Sequence, residues 1–371
     1  MLTTLTLRNF RNHVETTLDG LKPLSVIVGP NGGGKSSILE ATRALYHLER
    51  LSAHAAVGGR VGIEEVARKH ATKMMIAGTG SFDGEHWILA ASFSKQAQDW
   101  QPSVRVGVGD SPPVDATYRS NELDVPEWFA AGLRKVARYR LQASALREPS
   151  YPESLPPIIA LDGYGLASAV SYLMRTDPEA HRLLTERLRG VVPSVTGLRT
   201  NPVKVPRTRQ HALSVDGRKV PFNTEDEVVG DELLFDTVDG KGIPGAAQSD
   251  GTLLVLAVLT TLTLPVRPRL MLLDDIDAGL HPAAQRELMR VLRKLVEEEP
   301  GLQLIMTTHS PYVVDEMSPD EVWVCGRDAA EQHVVVKKLS EHPRAEEALR
   351  VLTTGEFWST EGESWTAEKG S

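Results

Sequence analysis

The sequence predicts an α/β fold whose core is a parallel sheet covered on both faces, and three observations carry that expectation. Three short aliphatic runs, at 24–28, 270–273 and 302–306, stay apolar instead of alternating, the pattern of strands buried on both sides. Each runs into a loop containing Gly, Asp or His, and open α/β sheets hold their ligands in such loops. Two helical periods flank the runs: 36–48 aligns Ile38, Leu39, Leu45 and Tyr46, and 282–299 aligns Leu288, Val291, Leu292 and Leu295. The second opens on Pro282, whose fixed φ suits a first helical turn, and stops at Pro300-Gly301.

The remaining elements follow in chain order. Residues 1–7 set Leu2, Leu5 and Leu7 against threonines, as a half-buried strand does. Over 82–93, Asp83-Gly84 marks a tight turn into a strand at 86–93. Residues 136–141 are strand-like, 161–190 read as helix, and 195–239 as twisted strands with turns at Asp216-Gly217 and Asp239-Gly240. The most apolar stretch, 253–264, is interrupted by threonines and ends at Pro265. It is too short to span a bilayer and reads as a core helix. The sequence has no internal repeat, no low-complexity tract and no sustained heptad run, so no long coiled coil is expected.

Bulk properties narrow the class. A chain of 371 residues fits one large domain or two ordinary ones, and 41% hydrophobic with 24% charged residues is a folded composition. The 41 Lys+Arg against 49 Asp+Glu leave a formal charge of -8. That excludes a surface coated throughout in nucleic acid but allows a local basic stripe. A single cysteine, Cys325, permits no internal disulfide and fits a reducing compartment. Within Val322-Trp323-Val324-Cys325 it reads as a small buried hydrophobe. The N-terminus lacks the basic-then-apolar plan of a signal peptide, so a cytoplasmic chain without membrane attachment is expected.

Gly29-Pro30-Asn31-Gly32-Gly33-Gly34-Lys35-Ser36 satisfies G-x-x-x-x-G-K-[ST] between a buried strand and a helix, the context a phosphate loop requires. Glycines let backbone N–H groups turn inwards around phosphate oxygens, and the following helix offers its positive end to the same anion. Lys35 reaches the β- and γ-phosphates, and the Ser36 hydroxyl is an oxygen ligand of the kind Mg²⁺ prefers. A glycine-rich turn alone would explain neither the lysine nor the flanking elements.

A second cluster completes the site. The strand at 270–273 ends in Asp274-Asp275, and adjacent carboxylates at a buried strand end are costly unless they serve a cation or a proton transfer. Asp274 suits Mg²⁺, directly or through water, and Asp275 suits polarising an attacking water. Thr307-Thr308-His309-Ser310-Pro311 follows another buried strand, where His309 can sense a γ-phosphate. Gln248-Ser249-Asp250-Gly251-Thr252 opens the core helix. Its Ser and Asp are good caps, and the same geometry offers a hydroxyl, free N–H groups and a helix dipole to an anion.

The order GPNGGGKSS, SDGT before an apolar helix, LMLLDDIDAGLHP and TTHSP resembles the ABC-type ATPases of the RecF, OLD and SMC branch. It is most similar to the compact AAA-type ATP-binding proteins without coiled coil or TOPRIM domain found in bacterial defence or repair loci. The opening Leu7-Arg8-Asn9-Phe10-Arg11, Asp162-Gly163-Tyr164-Gly165-Leu166 and Asp239-Gly240-Lys241-Gly242-Ile243-Pro244 fit the same branch. The resemblance implies a P-loop NTPase of ABC-ATPase type with a mixed or parallel core sheet, an N-terminal antiparallel β subdomain and an inserted helical and β lobe. The implied boundaries are 1–142 and 241–345 for the two halves of the nucleotide-binding lobe, 143–240 for the insert, and 346–371 for a tail. ATP and Mg²⁺ are the implied cofactors. Gly29, Pro30, Asn31, Gly32, Gly33, Gly34, Lys35, Ser36 and Ser37 hold nucleotide, Ser36 and Asp274 hold metal, and Lys35, Asp275 and His309 serve hydrolysis. Ser249, Asp250 and Gly251 act in trans, closing on ATP held by another subunit in a two-fold dimer or higher oligomer. Two departures stand out: Asp275 replaces the usual Glu, one methylene longer, and Gly279-Leu280-His281-Pro282 replaces the D-loop of transporter-type relatives. For the Q-loop glutamine the choice is Gln142, with Gln96 and Gln98 as rivals.

Partners beyond ATP are read from charge. Arg199, Lys204, Arg207, Arg209, Arg218 and Lys219 precede an acidic run from Glu225 to Asp239. That is either a solvated hairpin whose strands pair by charge or a phosphate-contacting edge for DNA. Arg134, Lys135, Arg138, Arg140 and Arg147 either line the DNA side of a dimer or order the lobe interface. The aromatic tail from Phe357-Trp358 to Trp365 either packs back or docks a partner. An ATP-driven switch controlling DNA or a separate effector, a nuclease or toxin, is the leading expectation. The 62 residues after His309 (371 − 309) are too few for a TOPRIM nuclease domain.

Overall fold

The computed structural model describes residues 1–59, 61–97, 99–109, 111–119, 122–215, 218–328 and 333–367. They form two compact units: Met1–Tyr139 with Pro268–Asp277 and Gln285–Ser371, and Arg140–Arg267 with Ala278–Ala284. The second unit therefore takes in 241–267, which the sequence grouping set with the second half of the nucleotide lobe, and the tail falls in the first.

The first unit holds two six-stranded sheets. One runs Val136–Tyr139, Leu270–Leu273, Gln303–Thr307, Leu24–Val28, Val322–Arg327, Val334–Lys338. All its pairings are parallel except the last. Every residue of its strands Leu24–Val28, Leu270–Leu273 and Gln303–Thr307 is buried, as their largely aliphatic sequence requires. The other sheet is antiparallel, with Leu2–Phe10 between His13–Asp19 and Lys73–Phe82, continued by Glu85–Gln96, Asp99–Val108 and Val114–Asp115. Asp83 and Gly84 both take positive φ in the turn between its central strands, as a two-residue hairpin loop demands.

The helix Lys35–His47 packs against strands of both sheets. It buries Ile38, Leu39, Leu45 and Tyr46 with Leu5, Leu7, Phe10, Ile27, Leu272 and Ile305 in one core, each such side chain contributing about 1.5–3 kcal/mol of burial. Gln303 joins the sheets: its side chain accepts from the Leu2 N–H and donates to the Leu2 carbonyl, both at 2.8 Å. Cys325 is fully buried, and burial pushes its thiol up to about 12, so it is inert at neutral pH.

The second unit carries the expected middle helix, broken in two. Leu166–Thr176 and Pro178–Val191 meet at Asp177, whose side chain accepts from Ala180 N–H at 2.9 Å. Pro178 lacks the N–H that would continue the first helix. The apolar stretch is a helix at Asp250–Thr263 with both flanks buried. Thr261 and Thr263 satisfy their hydroxyls on the carbonyls of Ala257 and Leu259, at 2.8 Å each, which lets polar residues sit in an apolar helix.

Val195–Val215 and Arg218–Thr237 form one long antiparallel hairpin; the turn expected at Asp216-Gly217 lies outside the described residues. Thr237 N–H donates to Gly240 O at 2.7 Å, closing the turn at Asp239-Gly240. Across the ladder Arg199 meets Asp236 at 2.6 Å, Lys204 meets Glu227 at 2.8 Å, and Arg207 and Arg209 share Asp226. Exposed pairs of this kind add little stability, but they neutralise the bases that would otherwise meet phosphates. The hairpin is the charge-paired one, and no unpaired basic edge is present among its described side chains from 199 to 209.

The aromatic tail packs back. Phe357, Trp358 and Trp365 are buried, and Asp315 accepts from Thr353 Oγ1 at 2.6 Å and Gly355 N–H at 3.0 Å. Among the described residues no helix is long and apolar enough to cross a membrane.

Candidate functional site

Register builds the site. Leu273 pairs with Met306, and Thr307 with Ile27, in parallel. The segments leaving these three strands, Gly29 onwards, Asp274-Asp275 and Thr308-His309, therefore emerge side by side. Between them lies a cleft of about 220 Å³ lined by Asn12, Asn31 to Ser37, Asp275 and His309.

The loop turns as its glycines allow. Gly29 has φ 138° and passes so close to the Cys325 carbonyl that a Cβ there would lie 2.3 Å from its oxygen. Gly34, at φ 91°, stands before the helix, where a Cβ would lie 2.7 Å from His13 Nε2. His13 is fully buried beneath the loop, with Nδ1 3.0 Å from Thr16 Oγ1 and Nε2 3.3 Å from Gly34 O. Burial lowers its pKa to about 4, so the support under the loop is a neutral imidazole at pH 7. From outside, Asn12 and Arg327 both donate to Gly32 O, at 3.2 and 2.6 Å. Lys35 folds inwards, its Nζ donating to Gly29 O at 2.8 Å and Pro30 O at 3.1 Å, and burial lowers its pKa.

Both oxygens of Asp274 are engaged. Its Oδ1 accepts from Ser36 Oγ at 3.0 Å and Thr307 Oγ1 at 2.8 Å, and its Oδ2 from Arg138 Nη2 at 2.8 Å. Burial alone would raise its pKa; the bonds from Arg138 and Thr307 outweigh it and hold the group below the usual range. Asp275 is opposite in character. Burial, then the charges of Asp274 and Asp277, raise its pKa against the pull of His309 and Lys35. Its backbone sits at φ 53°, a left-handed conformation, with its N–H donating to Thr307 Oγ1 at 2.9 Å. Thr307 thus positions both acids. Asp277 accepts from Thr308 Oγ1 at 2.5 Å and His309 N–H at 3.4 Å, fixing the segment that carries the exposed His309 side chain.

The Ser36–Asp274 pair fits Mg²⁺. Neighbouring oxygens on an octahedral ion with bonds of 2.0–2.1 Å stand roughly 3 Å apart, which is the 3.0 Å observed here. No cluster of three or more His, Cys, Asp or Glu able to hold a metal occurs among the described residues. An ion at this pair would thus complete its shell with phosphate oxygens and water.

Ser249, Asp250 and Gly251 belong to the second unit. Ser249 caps the Asp250–Thr263 helix, accepting from Thr252 N–H at 3.2 Å. Gly251 has no room for a side chain, since a Cβ would lie 2.4 Å from Gly279 O. Arg147 pairs with Asp250 and donates to Gln248 O at 3.0 Å. Gln142, in the same unit, precedes the short helix Ala143–Arg147 and donates its N–H to Asp162 O at 2.8 Å. Gln96 ends a strand of the antiparallel sheet, and Gln98 lies outside the described residues. Of the second basic group, Arg134 is engaged by Glu49 and Glu127, Arg138 by Asp274 and Arg147 by Asp250.

Sequence reasoning missed Asn12, His13, Arg138 and Thr307 as parts of this site. Asn12 directly follows the Leu7-Arg8-Asn9-Phe10-Arg11 opening and Thr307 begins the TTHSP motif, so adjacency to a motif was the signal for both.

The fold is that of SMC heads. The Smc head domain of Pyrococcus furiosus bound to the C-terminal domain of ScpA superposes with a TM-score of 0.58 at 16% identity, covering 94% of this chain and 99% of that one. An SmcHead bound to the C-winged helix domain of ScpA gives 0.57 at 17% identity, over 92% and 99%. A curated Helicobacter pylori (strain ATCC 700392 / 26695) protein, "ATP/GTP phosphatase", is 22% identical over 342 residues, 85% of this chain and 87% of that protein. Residues 24–315, which include the phosphate loop and the acidic strand end, match the family described as "AAA domain, putative AbiEii toxin, Type IV TA system", and the chain belongs to that family, AAA_21.

Proposed function

We propose that this chain is a Mg²⁺-dependent ATP hydrolase that works as a switch: ATP closes a dimer with two composite sites, and hydrolysis reopens it. The observation that carries the reading is the convergence of Lys35, Ser36, Asp274 and Asp275 on the phosphate loop. The Helicobacter relative's name, ATP/GTP phosphatase, supports the same chemistry.

In this reading, loop N–H groups from Asn31 to Ser37 and the helix end receive the phosphates. Lys35 exchanges its carbonyl partners for β- and γ-phosphate oxygens. Ser36 and Asp274 would hold Mg²⁺, which would supply positive charge against the negative charge developing on the leaving phosphate. Asp275, its pKa raised by burial and by Asp274, takes the proton from a water attacking the γ-phosphorus, and ADP departs. His309 reports the γ-phosphate, Ser249, Asp250 and Gly251 of a second subunit close over it, and Gln142 is the Q-loop glutamine. The cycle's output is control of DNA or of a separate nuclease or toxin effector in bacterial defence. With Arg199, Lys204, Arg207 and Arg209 paired across the hairpin, a protein effector is the better-supported output.

The composite site has a direct test. Ser249→Arg places a bulky cation where the second subunit would meet the γ-phosphate, so it should bind ATP but not hydrolyse it. Mixed with inactive Lys35→Ala, it forms dimers with one complete site, and activity should return to roughly a quarter of the unaltered protein's, the ceiling set by random pairing into two-fold dimers. Normal hydrolysis by Ser249→Arg alone would rule the trans arrangement out.

A further inference from the structure

The least expected partner of the site is Arg138. It was one of a group of bases attributable to DNA or to lobe contacts, yet its guanidinium sits 2.8 Å from Oδ2 of Asp274, with the Arg138 side chain 18% exposed and that of Asp274 3%. The strand Val136–Tyr139 aims it there, since Arg138 pairs in register with Leu272, two residues before the acid. The contact divides the carboxylate. Oδ1 faces Ser36 and Thr307, and Oδ2 is held by Arg138. A second guanidinium is near: Arg43, of the helix that carries Ser36, has its pKa lowered by burial and then by Arg138.

Two consequences follow from a fixed positive charge on one oxygen of a metal carboxylate. The carboxylate is pinned, so Oδ1 is presented without a search over rotamers. The same charge repels a divalent cation arriving on the other oxygen. A bare Mg²⁺ gains one carboxylate already neutralised by arginine, whereas a cation carried on triphosphate brings its own negative charge. We propose that Arg138 is a positioning residue that makes the metal site nucleotide-dependent: it orients Asp274 for Mg²⁺ while suppressing binding of the free cation, so metal enters with ATP. The proposal rests on the ATP-hydrolase reading and assigns that site an order of loading.

The test reads metal binding without turnover. Free Mn²⁺ is titrated by electron paramagnetic resonance against the full chain, first without nucleotide and then with ATP. The unaltered protein should show no nucleotide-free site tighter than about 1 mM, since one neutralised carboxylate and a hydroxyl make a poor cage. Arg138→Gln keeps a donor for Oδ2 but drops the charge, and should bind nucleotide-free Mn²⁺ about tenfold more tightly, the order expected for one like charge across a carboxyl group even in a water-like dielectric. Arg138→Lys, which keeps the charge, should stay within about twofold of the unaltered protein. Unchanged or weaker binding in folded Arg138→Gln overturns the proposal, as does tenfold tighter binding in Arg138→Lys. If Arg138→Gln does not fold, the other two titrations decide: a nucleotide-free site in the tens of micromolar in the unaltered protein also overturns it. Failure of the unaltered protein to retain Mn²⁺ even with ATP would instead remove the underlying reading of the site.

Discussion

Replacing Lys35 by alanine is expected to lower ATP turnover at least about 100-fold, the scale seen when one preorganised electrostatic donor is lost from a transition-state site. Lys35 Nζ lies inside the loop, bonded to Gly29 O and Pro30 O, so it reaches phosphate by trading neutral acceptors for charged ones. Alanine also removes the stem, and with it contacts of a side chain only 6% exposed. Lys35→Met separates the two effects, because it fills the space and carries no charge. Both variants should be equally inactive. Both should also fold. Burial depresses the pKa of Lys35, so loss of its charge offsets part of the stability that both variants lose with its bonds to Gly29 O and Pro30 O and that alanine loses with the stem. Mg²⁺-dependent phosphate release by purified Lys35→Met at the parental rate would remove the phosphate loop from the chemistry.

What was legible in the sequence and what was not divides along contact distance. The phosphate loop, the acids at 274 and 275 and the His309 segment were readable because each is a local pattern: a short apolar strand followed within a few residues by its functional group. The helix at Lys35–His47 and the strands at Leu24–Val28 and Leu270–Leu273 fell within a residue of expectation for the same reason. Arg138 was not readable. It is 136 positions from Asp274, and nothing local separates an arginine aimed at a metal carboxylate from one facing solvent. His13 was missed likewise, since only the folded chain brings it beneath Gly34. The hairpin gave an intermediate case. Its bases and acids were visible as two blocks, and only the antiparallel register, which sets Arg207 against Asp226 and brings Lys204 within reach of Glu227, shows the described bases from 199 to 209 to be neutralised.

Asp275→Asn is expected to reduce hydrolysis by about 10²–10⁴-fold while leaving ATP binding intact, because a carboxamide cannot take the proton of the attacking water. The substitution is conservative in every other respect. Asp275 sits at φ 53°, and Asn tolerates that left-handed region as readily as Asp does. Stability should move the opposite way to activity. The pKa of Asp275 is raised by burial and by Asp274 and Asp277, so its contribution to stability is full in acid and lost as pH rises through the raised value. Asparagine mimics the protonated form at every pH. The variant, nucleotide-free and in chelator, should therefore melt at or above the unaltered protein's temperature at pH 7, and the two should converge as the pH falls through the titration of Asp275. Asp275→Glu completes the set. It restores a carboxylate one methylene longer, and it pays for placing a longer side chain at positive φ. It should keep turnover within about tenfold of the unaltered protein and melt lower. A parental hydrolysis rate in Asp275→Asn would place the base elsewhere, and a lower melting temperature at pH 7 would show that the buried carboxylate stabilises the fold rather than being held there against its preference.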